Sequence, residues 1–397
     1  MAERSFGEQL ARESKEWVAE GLVTAEQAET LRSRYEGAGE ARRSRAAAAL
    51  AVIGALAVGF GVIGFLAANW DALPHPARLA LITVAIAGSY AGGYWLCERT
   101  GRHPRVGEAL YLLGVLLFGA ALFLVGQMYH VEAHDPLALL LWAAAAFAVA
   151  AIVRSRAIAW AAWLIFSGWI GFEAGTALGD DGGSGSALAV LAVFYGGALY
   201  GLGTAAVQRV RRDWLDETGF AVSARLLGLA VFTAGLFVFT FSGAADDLDG
   251  AGAELGGALE AGLVVLAAVA LAAAAVLAVD KRRSSRYGAL VLAVSVGALL
   301  VAVYVGGDGG LYALLFNLLL ATVALGAIFT GYDNDEPWLV NAGVVLVAID
   351  LVARYFDVFW SALPRSVGMI GAGLLVLGIA YGLERQRRRL LERMEAA

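Results

Sequence analysis

Apolar runs of about twenty residues recur along the whole chain, and each is long enough to cross the ~30 Å of bilayer hydrocarbon as a helix. They lie at Ala46–Ala68, Ala77–Cys97, Gly107–Met128, Leu137–Val153, Ala157–Leu178 and Ala187–Val207, then at Val222–Phe241, Ala258–Val279, Tyr287–Val305, Leu311–Thr330, Leu339–Phe356 and Val367–Leu383. With 60% hydrophobic and 16% charged residues, the 397-residue chain has more apolar area than a water-soluble fold can keep off its surface. A backbone in lipid must satisfy its own N–H and C=O groups. The fold class expected is therefore an all-α integral membrane protein, a bundle of about twelve transmembrane helices with the lipid bilayer as its first partner.

Orientation follows from the cations, because positive charge is retained on the cytoplasmic side. Alternate loops carry Arg42, Arg43 and Arg45; Arg99, Arg102 and Arg105; Arg154 and Arg156; Arg209, Arg211 and Arg212; Lys281 to Arg283 with Arg286; and Arg385 to Arg393. The intervening loops hold only Arg78, Arg354 and Arg365. Both termini are thus expected in the cytoplasm. All but two of the 29 basic residues are arginine, in a chain rich in alanine and glycine, which suggests a GC-rich prokaryotic genome and placement in the cytoplasmic membrane of a prokaryotic cell. The first apolar run follows a charged stretch and is expected to remain as a start-transfer helix rather than be cleaved.

Residues 1–45 read as a cytosolic helical hairpin, 46–383 as the transmembrane domain and 384–397 as a basic cytosolic tail. The hairpin is expected as Glu3–Glu20 and Thr24–Glu36, joined at Gly21, with Thr24 and Gln27 forming a capping box. Its apolar residues are too few for an independent core, so it docks on the membrane domain or on a protein partner. All six prolines fall in loops or at helix starts, which predicts largely unbroken spans. Small residues four apart, Gly88 with Gly92, Gly197 with Gly201 and Gly378 with Gly382, predict close helix approaches.

Several classes are excluded. A net charge of −6 with no concentrated basic face argues against nucleic acid as a partner. The single cysteine, Cys97, rules out an intrachain disulfide and any thiolate-rich metal site. Glu98–Arg102 has the place of the major facilitator loop signature but not its spacing, since Tyr94 stands where a glycine belongs. Gly182–Ser186 lacks the final glycine of a nucleophile elbow.

Three stretches together resemble the prokaryotic predicted membrane protein family called domain of unknown function 2157. One joins Trp17, Gly21-Leu22-Val23, Gln27, Leu31 and Tyr35 to Ala67-Ala68-Asn69-Trp70-Asp71. Another is Phe118-Gly119-Ala120 running to Gly126-Gln127-Met128-Tyr129-His130, and the third is Arg354-Tyr355-Phe356-Asp357 ahead of a glycine-rich last span. The resemblance implies a multispan membrane protein with a short cytosolic N-terminal part and brings no activity with it.

Polar residues near membrane depth gather on the side expected to face outward: Asn69, Asp71, Gln127, His130, Glu173, Asp350, Arg354 and Asp357. Such groups are costly in lipid unless they meet one another or water, which points to an outward-facing polar vestibule. Asp350 and Arg354, spaced i,i+4 with the acid first, are expected to pair. His130, Glu132, His134 and Asp135 offer two imidazoles and two carboxylates in six residues, a donor set for a divalent metal, although the spacing matches no strong motif. No other cofactor is implied. The function expected is a transporter or channel for a small solute or ion; the alternatives are a non-catalytic scaffold or sensor acting through the hairpin, and an outer-face metal-dependent enzyme.

Overall fold

The computed structural model describes residues 6–21, 23–29, 74–128, 136–178, 185–209, 217–248, 257–333 and 335–359, with separate positions between 50 and 65 and between 371 and 381. Among the described residues all regular structure is helical. Nine helices among them are long and apolar enough to cross a membrane, and Leu137–Val153 is a shorter apolar helix. These correspond in order to the second through eleventh apolar runs. The first and last runs lie largely outside the described residues.

The chain divides into two compact units, Met1–Val153 and Arg154–Ala397. In the first, α1 (Phe6–Ala19) ends at Gly21, whose φ of +75° is left-handed and suits glycine. The capping box then forms as predicted: Thr24 N–H donates to Gln27 Oε1 at 3.0 Å, and Gln27 N–H to Thr24 Oγ1 at 3.2 Å. Helix α2 (His75–Tyr94) starts behind Pro74, with Pro76 in its first turn, and widens at its end into a π-turn over Trp95–Arg99. That turn tucks Cys97 against Gly107 of α3 (Pro104–Met128), where a Cβ would collide with Sγ. Along α3, Gly119 receives the flat indole of Trp142 from α4 (Leu137–Val153), and Trp142 Nε1–H donates to the Val115 carbonyl at 2.8 Å. The Phe118-Gly119-Ala120 stretch thus has a packing reason, since any side chain at 119 would evict the indole.

The second unit comprises α5 (Arg156–Leu178), α6 (Gly185–Arg209), α7 (Phe220–Val238), the short α8 (Ser242–Asp246), α9 (Gly257–Ala278), α10 (Arg283–Val305), α11 (Gly309–Asp333) and α12 (Pro337–Phe359). Its core is built around buried Val190, Phe194, Leu236, Leu292 and Phe316. Helices α6 and α7 run antiparallel at backbone contact. An added Cβ would strike the backbone nitrogen of Phe232 at Gly196, that of Arg225 at Gly203, and that of Tyr200 at Gly228. The glycines in backbone contact on α6 are therefore seven apart, not the four-spaced Gly197 and Gly201. Those two take side chains instead, Leu292 and Ala273. Among the described residues Gly88 and Gly378 meet nothing within 4 Å. A helical stripe has several small-residue registers, and packing selects among them.

Candidate functional site

Within the second unit, α6, α7, α10, α11 and α12 enclose a cavity of about 80 Å³, with Leu277 of α9 also on its wall. Its floor is apolar: Leu229 and Phe232 of α7, Leu292 of α10 and Val323 of α11. Leu229 stands at the midpoint of Phe220–Val238, so the cavity extends from the arginine-rich end of these helices to their middles. Polar side chains stand among apolar ones on its walls. Thr204 hydroxyl donates to the Tyr200 carbonyl at 2.7 Å, and Ser285 hydroxyl reaches Gln208 Oε1 at 3.0 Å and Asp280 Oδ2 at 3.2 Å. Tyr287 occupies the notch left by Gly326 and donates to the Thr322 carbonyl at 2.7 Å. Asp280, in the loop ahead of α10, also accepts the Arg282 backbone N–H at 3.2 Å, and that hydrogen bond chiefly holds its carboxyl below the ordinary aspartate range.

Arg225 is the charged residue of the cavity lining, and carboxylates stand beside the lining at Glu336 and, through Ser285, at Asp280. Arg225 Nη2 lies 3.1 Å from Glu336 Oε2 and 3.4 Å from Oε1, and its guanidinium stands 5.6 Å from the ring centroid of Trp338. Both charged side chains are largely buried, 18% and 29% exposed, so the pair is partly shielded from screening. Arg225 lies only three residues inside the apolar run Val222–Phe241, and weighing loop cations alone passes over it. An arginine inside a spanning segment is itself the signal that finds it.

A second polar cluster stands at the other end of the same helices. Helix α7 stops at Val238, which leaves the Thr240 carbonyl without a helical partner. Arg354 of α12 supplies one: Nη1 donates to the Thr240 carbonyl at 2.8 Å and Nη2 to its hydroxyl at 2.9 Å. Asn317 of α11 donates to the same carbonyl at 2.9 Å. Arg354 also meets Asp357 at 3.0 Å and lies over the Phe241 ring at 4.2 Å. The expected partner Asp350 is present but farther, with Oδ1 at 3.8 Å from Nε, and neither of these buried atoms makes a hydrogen bond among the described residues. Helices α7 and α12 are therefore parallel and held together twice, by Arg225 with Glu336 near their starts and by Arg354 with Thr240 near their ends.

Of the residues expected to form the vestibule, Asp350, Arg354 and Asp357 come together. Glu173 is exposed near the end of α5, and among the described residues no ion pair links it to that cluster. Gln127 is exposed near the end of α3. Asn69, Asp71 and His130 lie outside the described residues, as do Glu132, His134 and Asp135. Among the described residues no group of three or more His, Cys, Asp or Glu is placed to hold a metal.

The array of apolar helices makes this an all-α membrane protein with several spans. More particularly, residues 15–159 match the family described as Predicted membrane protein (DUF2157). The match covers most of the first unit and ends within the first turn of α5, so the cavity and the Arg354 cluster lie beyond it. No curated protein and no solved structure matches the chain.

Proposed function

We propose that this protein is a membrane transporter or channel-like protein for a small solute or ion, and that the Arg225 cavity holds the solute. The carrying observation is a largely apolar space, with Arg225 and several hydroxyl and amide side chains on its lining, that reaches from the arginine-rich end to the middle of the spanning helices. A purely structural bundle gains from filling such space, because lost packing contacts are costly. On the positive-inside rule the arginine-rich end faces the cytoplasm, both termini are cytoplasmic, and the cavity opens inward. The Arg354 cluster then lies at the outer end of the same helices and forms part of the outward-facing polar entrance. The membrane is the cytoplasmic membrane of a prokaryote.

Proteoliposome flux measurements on a Thr204→Cys variant, with Cys97→Ser as background, test this reading. Small anions, cations and neutral solutes are supplied in turn, and a methanethiosulfonate reagent is then added. The expected result is flux of at least one solute that stops when the introduced thiol is modified. Absence of flux for every solute, with that thiol unreactive from both sides, overturns the proposal.

A further inference from the structure

We infer that the cavity selects a small organic anion, a carboxylate on a short apolar body, and that Glu336 is the internal carboxylate that occupies Arg225 when no ligand is bound. This rests on the reading of the cavity as a solute site. Among the described residues that line the cavity, Arg225 alone carries a formal charge. Glu336 reaches it from the rim rather than from the lining. When Glu336 lets go, the guanidinium is an unpaired positive charge in a space of reduced dielectric, which an anion compensates and a cation does not. The donor inventory agrees. Glu336 is held through Nη2 only, and among the described residues Nε and Nη1 of Arg225 have no protein acceptor. Both bidentate edges of the guanidinium, Nε with Nη2 and Nη1 with Nη2, include the nitrogen that Glu336 holds, so a ligand carboxylate takes the strong bidentate mode by displacing Glu336.

Size and polarity narrow the class further. Hydroxyls of Thr204 and Ser284 lie on the same wall system as the guanidinium, while Leu229, Phe232 and Val323 form the deeper floor. The carboxylate belongs at Arg225 and the carbon body points toward the helix middles. A cavity of about 80 Å³ holds several waters, since one needs roughly 10–15 Å³ on such a measure, or a ligand of a few heavy atoms. Glu336 sets the affinity: ligand binds only when the glutamate has let go, so the apparent affinity is reduced by the fraction of time Arg225 is free.

The test uses the purified full chain in lipid nanodiscs and three probes with one body and different heads: butyrate, butylammonium and butan-1-ol. Calorimetry is expected to show butyrate binding that Glu336→Gln strengthens about tenfold. Arg225→Gln together with Glu336→Gln, which leaves no stranded charge, abolishes it. Butylammonium or butanol binding as tightly as butyrate, lost when Leu229→Trp fills the cavity, overturns the anion assignment and leaves the solute site standing. Butyrate binding unchanged in the double variant also overturns it. If none of the three binds to the wild-type chain, with the variants folded by circular dichroism, both the assignment and the solute site fail.

Discussion

Arg354 and Thr240 are joined by two hydrogen bonds, from separate guanidinium nitrogens to the threonine carbonyl at 2.8 Å and hydroxyl at 2.9 Å. They link α12 to the end of α7. Arg354→Ala removes both and leaves Asp350 half-buried, so it is expected to cost about 2–3 kcal/mol, read as a lower thermal midpoint in detergent. Lysine in its place recovers little, because one ammonium cannot serve the carbonyl, the hydroxyl and Asp357 together. Asp350→Ala in the Arg354→Ala background should restore part of the loss. Strictly additive losses would show that Asp350 does not interact with Arg354 despite standing 3.8 Å away.

Backbone contact between α6 and α7 separates two kinds of glycine. At Gly228 an alanine Cβ would run into the Tyr200 backbone nitrogen, which cannot swing aside. Gly228→Ala is expected to destabilise by about 1–3 kcal/mol or prevent folding, and Gly196→Ala likewise. Gly168→Ala meets nothing within 4 Å among the described residues and should be neutral or stabilising by up to about 1 kcal/mol, since it also removes a poor helix former. Equal effects at the two positions would contradict the α6–α7 packing.

Topology is checked by reporter fusions. Fusions after Asp181 and Asp247 should signal outside, and those after Arg211 and Arg283 inside. An opposite signal at any of the four overturns the proposed orientation.

Asp280 predicts a pH dependence local to the start of α10. Its carboxyl is held below the ordinary aspartate value near 3.8, mainly by the Arg282 N–H. A lowered folded value means that the stabilisation is fully present above 3.8 and is lost as pH falls through the lower folded value. Hydrogen exchange at the first turn of α10 should therefore quicken in that acid window in the wild type. In Asp280→Asn the titrating group is gone, and that acid-specific change should vanish. The same acid response in both proteins would assign it to another group.

Sequence legibility differed by element. The ten middle apolar helices could be read with ends close to those observed, because length and hydropathy are properties of each segment alone. The capping box at Thr24 and Gln27 was equally legible, being a contact between residues three apart. Asp350, Arg354 and Asp357 could be grouped because they share one face of one helix. Thr240 and Asn317 could not be joined to them, since nothing local tells α12 which helix end it will meet.

By itself, then, the sequence determined the solvent of this protein, the bounds of its central helices, and the charge asymmetry that implies an orientation. These follow from segment length, apolar content and loop cations, each of which acts before any helix touches another. Only the tertiary structure decided which glycines carry backbone contact, which carbonyl Arg354 caps, and that Arg225, Glu336 and Trp338 from two segments more than a hundred residues apart stand together beside a cavity. Helix association in lipid is driven by close packing and polar pairing between segments rather than by hydrophobic exclusion, so the partners at a site become definite only when the helices are packed.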